Sequence, residues 1–536
     1  MSQISIRDIL YRLIAVQSDT GTEMECRMAE TIACCISDDP YFQIHPDHWG
    51  CETAGDIMGR PVIWALKEGK SRKTVVLSGH YDTVETDCYG PLKPLALKPD
   101  ELKEKIRTLP LTDDKLKREL DGDWMFGRGC GDMKAGLAVD LHVLLTEEEP
   151  QASILFTAVC DGENISAGTR RSLSLYRRLR DQFGLDYQAV LIGEPQICSS
   201  RQPFTVHCGG TGKFLPVIVA KGQLAHCAEP LKGLNAAHII SEIARNLDLN
   251  TDFCTDDLGV STQPPIVQLV RDLKTTCDAS IPEYAAACVN MLFLNSRTPP
   301  LILEKIKALC KTSVCSVIEK YETSFAHARF RGLVSDDCYQ TFAPVVVDLR
   351  ELEEIVKANR ADFDSFRSEL EQRLTAEVAE KTLSLQEASL CFMKAMIEAS
   401  GLRFPLVAVG VAPPYYPSVS CEYMGKDLTS VLGSIRQVVE GEYGMQFRLS
   451  PYSPGMGDIS YMTCISPERE RAFLRNIALP PSLYDIPFEE AAALNIPCLC
   501  MGPRSEDVHQ WSERVYLPDV EHVIPDAIRR VIADIR

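Results

Sequence analysis

The chain has no apolar run near the length of about 20 residues that spans a bilayer. Its start, Met1-Ser-Gln-Ile-Ser-Ile-Arg-Asp8, has no basic stretch leading into an apolar one with a cleavage site. A cytoplasmic protein with no membrane partner is expected. Basic charge is also scarce: 56 Lys and Arg against 75 Asp and Glu leave a net charge of -19. Nucleic-acid affinity comes largely from Lys and Arg displacing counterions, so no nucleic-acid partner is expected. The 21 cysteines include no C-x-x-C pair, and Cys34-Cys35 and Cys498-Leu-Cys500 lack structural-zinc spacing. Disulfide frameworks belong to small secreted chains, so nearly all of these cysteines read as small buried hydrophobes. There is no G-x-S-x-G elbow, which disfavours a serine hydrolase. Gly209-Gly-Thr-Gly-Lys213 is followed by Phe214 rather than the Ser or Thr of a phosphate loop.

What is present is a globular composition, 45% hydrophobic and 24% charged over 536 residues, enough for two or three domains. Apolar residues at helical spacing predict helices over 6–16 and 23–36. Short apolar runs at 74–78, 154–159, 189–192, 406–411 and 497–501 alternate with helical stretches and read as buried strands of an α/β sheet. Between 204 and 331 the order changes to strand, helix, two strands and helix, which suits a small α+β insertion. Three segments follow: 1–203 and 332–536 as one catalytic α/β domain with a central mixed sheet flanked by helices, and 204–331 as an inserted lid or dimerisation domain. From 345 the chain reads as a strand and two charged helices to about 400, then as the returning α/β pattern. The stretch 91–120, rich in Lys, Asp and Pro, reads as a solvated excursion with some helix.

In open α/β sheets ligands bind beyond the carboxyl ends of the strands, so the residues just after each apolar run carry the information. Here they share one chemistry. The runs lead into Gly79-His80-Tyr-Asp82, Asp161-Gly162-Glu163, Gly193-Glu194-Pro195 and Asp507-Val-His509, and a glycine-rich loop holds Asp132. Two histidines and several carboxylates at one sheet edge suit a divalent ion such as zinc; without one they would repel each other. Residues i and i+2 of an extended segment face the same way, so Asp82 is expected to accept the ring N–H of His80 and leave its other nitrogen for metal.

Ser78-Gly-His80-Tyr-Asp82-Thr-Val84, Gly127-Arg-Gly-Cys-Gly-Asp132-Met-Lys134-Ala-Gly136, Asp161-Gly-Glu163, Gly193-Glu194-Pro195 and the late His509 stand in an order that resembles one family. It is the di-zinc peptidases of aminoacylase, succinyl-diaminopimelate desuccinylase and glutamate carboxypeptidase (metallopeptidase family M twenty). The resemblance spans nearly the whole chain. Asp507-Val-His509-Gln-Trp-Ser-Glu-Arg514 and Pro413-Pro-Tyr-Tyr-Pro417 are most similar to its RocB branch, named for arginine utilisation. The resemblance implies a zinc-peptidase-like fold and two divalent ions, zinc foremost, with manganese and cobalt suited to the same ligands. It implies that His80 and Glu194 hold one ion, Glu163 and His509 the other, and Asp132 bridges them. Gly222-Gln-Leu-Ala-His226-Cys-Ala-Glu-Pro230 is similar to the lid motif, whose histidine helps stabilise the oxyanion and in dimeric relatives reaches the partner's site, so a homodimer through the lid is among the expectations. Arg297 is a candidate for meeting a substrate carboxylate.

One position departs from the family. Where relatives carry Asp-Glu-Glu, this chain has Asp161-Gly162-Glu163, and the first Glu is the family's general base. Aligned without a gap, the base position is Gly162; a one-residue shift would make Glu163 the base and put Asn164 at a metal position, and the ungapped register is preferred. Losing a general base costs about two to four orders of magnitude. The expectation is therefore a slow hydrolase of an amide bond in a small peptide or N-acyl amino acid, with Asp161 or a substrate carboxylate as replacement base. Its rival is a catalytically impaired metal-binding pseudoenzyme with a sensor or binding role in amino-acid (arginine) metabolism.

Overall fold

In the computed structural model residues 4–536 are described, except 57, 198–202, 277, 296 and 456. The chain forms two compact units: 1–210, 419–465 and 487–536 make the first, and 211–418 with 466–486 make the second.

The first unit is built on an eight-stranded mixed sheet, in the order Trp49–Thr53, Pro61–Lys67, Ala152–Val159, Ser71–His80, Asp186–Ile192, Cys498–Cys500, Phe204–His207 and Phe447–Ser450. Its centre is parallel: Ser71–His80 pairs in parallel with both Ala152–Val159 and Asp186–Ile192, and Cys498–Cys500 continues the same direction beside Asp186–Ile192. The strand Ala152–Val159 is buried at every position, as expected for a strand covered on both faces. Helix Ile6–Ile14 is capped by Ser5, whose hydroxyl accepts the Asp8 N–H at 3.1 Å, and it buries Ile6, Ile9, Leu10, Leu13 and Ile14. Helix Lys134–Thr146 is buried over most of its length, Lys134 and Asp140 included, and packs within the main core of this unit. A second, four-stranded sheet runs Trp124–Phe126, Arg514–Tyr516, Arg504–Glu506, Gln196–Ile197.

The second unit has a five-stranded sheet ordered Ile266–Asp272, Tyr284–Phe293, Gly212–Lys221, Leu406–Tyr416, Val345–Asp348, together with helices that include Ala236–Leu247 and the 33-residue Thr298–Phe330. The boundary expected at 331 falls inside this unit. The apolar run at 406 belongs to its sheet, pairing antiparallel with Gly212–Lys221 rather than joining the eight-stranded sheet. Segment 466–486 joins the same unit through Val411, which donates its N–H to the Asn476 carbonyl at 2.8 Å and accepts from Ala478 at 2.9 Å. Three helices rather than two separate these strands: Leu349–Asn359, Phe363–Ala379 and Leu385–Ser400.

The excursion at 91–120 is also more than solvated chain. Leu92, Leu102, Ile106, Leu116 and Leu120 pack with Trp124 and Phe126 into a small core of their own. Among the described residues no helix is long and apolar enough to cross a membrane.

Candidate metal centre

The central parallel strands bring their carboxyl ends to one edge. His80 is the last residue of its strand; Asp161-Gly162-Glu163 and Gly193-Glu194 follow the strands on either side of it. Asp132 precedes helix Lys134–Thr146, and His509 lies in the turn between Arg504–Glu506 and Arg514–Tyr516. The four-stranded sheet joins these last two, because Arg514–Tyr516 pairs with the strand leading into the Asp132 loop.

Two groups of ligand-type atoms result, each with its atoms within 4.8 Å of one another: His80, Asp132 and Glu194, and Asp132, Glu163 and His509. His80 Nε2 lies 3.2 Å from Asp132 Oδ1 and 3.6 Å from Glu194 Oε1. His509 Nε2 lies 3.0 Å from Glu163 Oε1 and 3.4 Å from Asp132 Oδ2. Asp132 thus turns one oxygen to each histidine. Glu163, not Asn164, is the residue whose carboxyl lies beside His509.

Asp82 behaves differently from the simple expectation. Its carboxylate takes the backbone N–H groups of Gly162 at 2.8 Å and Glu163 at 3.1 Å, while His80 Nδ1 is nearer the Asp82 backbone carbonyl, at 3.1 Å, than its Oδ1, at 3.5 Å. Asp82 therefore ties the 161–163 loop to the His80 strand end and orients the ring mainly through its main chain.

The electrostatics fit a cation site. Burial pushes the Glu194 and Glu163 carboxyls up, and the Asp132 charge pushes them further. Asp132 is held below its usual range despite burial, by hydrogen bonds to His509 and His80. His509 is pushed up to about 10 by its hydrogen bonds to Asp132 and Glu163. Burial opposes protonation of His80, but the bonds to Asp132 and Asp82 and the Glu194 charge outweigh it, and its pKa is also raised. Raised pKa values at both histidines, Glu163 and Glu194 mark a surplus of negative charge, which a pair of divalent ions would offset. Nitrogen and carboxylate oxygen donors around a shared carboxylate are a suitable set for such ions.

The model of Peptidase family M20/M25/M40 matches residues 76–529. The chain belongs to this peptidase family. It is 31% identical over 543 residues to the uncharacterized protein YqjN of Bacillus subtilis, covering 98% of this chain and 95% of that one. It is 27% identical over 538 residues to Protein RocB of the same organism, covering 97% and 92%. Among solved structures, the M20 family metallo-carboxypeptidase Sso-CP2 from Sulfolobus solfataricus superposes with a TM-score of 0.52 at 12% identity, over 99% of each chain, a likeness of fold.

Several residues around the site carry no motif that singles them out in sequence. Arg60 Nη1 bridges Glu25 at 2.5 Å and Asp161 at 2.7 Å, and Glu25 also accepts the Asp161 N–H at 2.9 Å. Asp161 is therefore committed to holding its loop, which removes it as a replacement base. Asp458 is 2% exposed, and neither carboxyl oxygen has a partner in good hydrogen-bond geometry, although the Thr169 and Ser166 hydroxyls are near. Burial raises its pKa, while His80 and the Thr169 and Ser166 hydroxyls act in the opposite direction. The adjoining Gly457 is close to Glu194, since a Cβ there would lie 3.6 Å from Oε1. The only sequence signal for Asp458 is a carboxyl after Gly455-Met-Gly457, with no apolar run before it.

Gly162 has no room for a side chain. A Cβ at this position would fall 2.3 Å from His80 Cγ and 2.5 Å from its Cβ, where no flexible end can yield. His226 and Arg297 belong to the second unit: His226 is exposed, with Nδ1 accepting the Ala228 N–H at 3.1 Å, and Arg297 is exposed at the start of helix Thr298–Phe330.

Proposed function

We propose that the protein is a hydrolase that uses two divalent metal ions, zinc foremost, to cleave an amide bond in a small peptide or N-acyl amino acid. The observation that carries this reading is the pair of three-ligand groups sharing Asp132, with every ligand atom of each group within 4.8 Å of the others. Held there, divalent ions would polarise a carbonyl as Lewis acids and lower a water's pKa towards about 7. The chain's own residues do the rest. His80, Glu194, Glu163 and His509 bind, Asp132 joins the two groups, and Asp82 fixes the 161–163 loop against His80. Since Gly162 is closed and Asp161 is taken by Arg60, Asp458 is the carboxyl assigned to take the proton, at one of its oxygens. A raised pKa suits that task, because a base titrating nearer neutral pH is the stronger proton acceptor.

Metal content and turnover test the reading together. Two equivalents of zinc, manganese or cobalt per chain, with hydrolysis of at least one member of a panel of dipeptides and acyl-amino acids, are expected. Two bound equivalents with no amide turned over would instead favour the second reading, a metal-binding pseudoenzyme in amino-acid metabolism. The closed space at Gly162 is what motivates that alternative. The roles of oxyanion stabilisation for His226 and carboxylate binding for Arg297 are proposals of the same standing. His226→Ala is expected to lower kcat, and Arg297→Ala to raise KM, with metal content unchanged.

A further inference from the structure

Beyond the ligands, the first unit contains an ion pair that touches two of the three loops of the second ligand group, those of Asp132 and His509. Arg128 is 1% exposed and Glu513 fully buried, and Arg128 Nη1 is bonded to Glu513 Oε2. From the other carboxyl oxygen, Oε1, Glu513 accepts the N–H groups of Gly131 at 3.1 Å and Asp132 at 3.4 Å. From its other terminal nitrogen, Nη2, Arg128 donates to the His509 carbonyl at 3.3 Å. Each partner therefore sits in one ligand loop and grips the ligand of the other: Arg128, four residues before Asp132, holds His509, and Glu513, four residues after His509, holds Asp132. The main chain repeats the link, with the Gly127 N–H donating to the Glu513 carbonyl at 3.1 Å.

His509 needs such a hold. Its φ is +67°, in the left-handed region that a non-glycine residue keeps only when its surroundings fix it. The Arg128 guanidinium is itself fixed, lying 5.2 Å over the Tyr89 ring and 2.9 Å from Cys88 Sγ.

We propose that Arg128 and Glu513 form a positioning clamp that sets the Asp132–His509 spacing, and so governs affinity at the Asp132, Glu163, His509 group far more than at the His80, Glu194 side. That side shares Asp132 with it but, among the described residues, has no contact with Arg128 through its own two ligands. The inference rests on the metal-centre reading above. It goes further by dividing the two ions: one is held by ligands on strand ends, the other by a clamp between loops.

The test is a zinc titration of the metal-free protein against a competing chelator, comparing wild type with Arg128→Met/Glu513→Gln. This double change removes both buried charges, a replacement proteins often tolerate, and Gln can still accept the Gly131 and Asp132 N–H groups while Met releases the His509 carbonyl. Wild type should take up two equivalents. In the variant one equivalent should lose about 10–100-fold in affinity, the range for residues that orient ligands, while the other stays within about threefold. Cobalt gives an independent readout, because the visible spectrum of only one of its two equivalents should change.

Arg128→Lys serves as the second variant if the double change does not fold. It keeps the charge, but a compact ammonium cannot reproduce the two-armed fork, so it should show the same one-sided loss. Equal loss at both equivalents, or none at either, overturns the clamp. Wild type that binds no zinc would instead overturn the metal-centre reading on which the clamp rests.

Discussion

The two ligand groups share Asp132 yet are built in different ways. His80 and Glu194 come from the ends of adjacent parallel strands, and the His80 side chain is 4% exposed. Gly193 and Gly136 let helix Lys134–Thr146 press close to that end, since a Cβ on Gly136 would fall 2.2 Å from the Gly193 carbonyl oxygen. Glu163 and His509 come from loops, and the His509 side chain is 45% exposed. Those loops carry positive φ at Asp161, Ser166, Asp507 and His509, and beyond the short four-stranded sheet that flanks the His509 turn they are tied by ion pairs: Arg60 with Glu25 and Asp161, Arg128 with Glu513, and the buried Arg514 with Glu119 and the part-exposed Asp507. A strand end places a ligand as a by-product of the fold. A loop ligand needs dedicated charged partners, and its affinity is accordingly the easier of the two to change.

Removing what the groups share should have the largest effect. Asp132→Ala takes a ligand atom from both and should abolish both equivalents of bound metal, a loss well beyond the ~10–100-fold of an orienting residue. Metal analysis after dialysis checks it, and retention of either equivalent at wild-type affinity would show that the groups do not share this carboxylate.

Next comes Asp458, which belongs to neither group. Asp458→Asn should lower kcat by about two to four orders of magnitude while both metals remain. Unchanged kcat would return the proton to another acceptor and weaken the case for catalysis at this site.

Gly162 sharpens the comparison from the other side. Gly162→Ala pushes into His80, so the loss should fall on the strand-end group, by about 1–3 kcal/mol, the usual cost of overpacking. Gly162→Glu should lose metal in the same way instead of gaining activity. A zinc titration that finds only the loop group weakened, or a gain in turnover from the glutamate, would contradict the crowding at this position.

How much of this could be read from sequence follows from the same contrast. Central parallel strands buried on both faces appear as plain apolar runs, so Ser71–His80, Ala152–Val159 and Asp186–Ile192 and the ligands after them were legible. The run Leu406–Tyr416 looks alike, but an apolar run does not say which sheet it joins, and this one lies in the second unit. The core under 91–120 was hidden because Lys and Asp outnumber the leucines that line it. Arg128 and Glu513 stand inside segments that sequence had already marked, yet a pairing across 385 positions leaves no trace in spacing or periodicity. The crowding at Gly162 depends on a ring 82 residues away in number and cannot be seen without coordinates.

Taken per unit, pH should produce the smallest effect at each ligand group. His509, pushed up to about 10, and His80, also raised, both favour the protonated form when no cation is bound, and each nitrogen must lose its proton to bind one. Zinc affinity should therefore rise with pH by about tenfold per unit for each proton released, and at the loop group this should continue until pH passes about 10. Stability of the metal-free protein runs the other way. A histidine whose pKa is higher folded than unfolded contributes fully below its unfolded value of 6.5, and that contribution is lost as pH rises through the folded value of about 10. The melting temperature without metal should thus fall between those limits, and with metal it should not, because the ion then supplies the charge the protons had supplied. Calorimetry in two buffers of different ionisation enthalpy gives the proton count directly. Release of no protons on zinc binding at pH 7 would mean that the histidines are already neutral, and that the carboxylates around Asp132 are balanced by something other than His80 and His509.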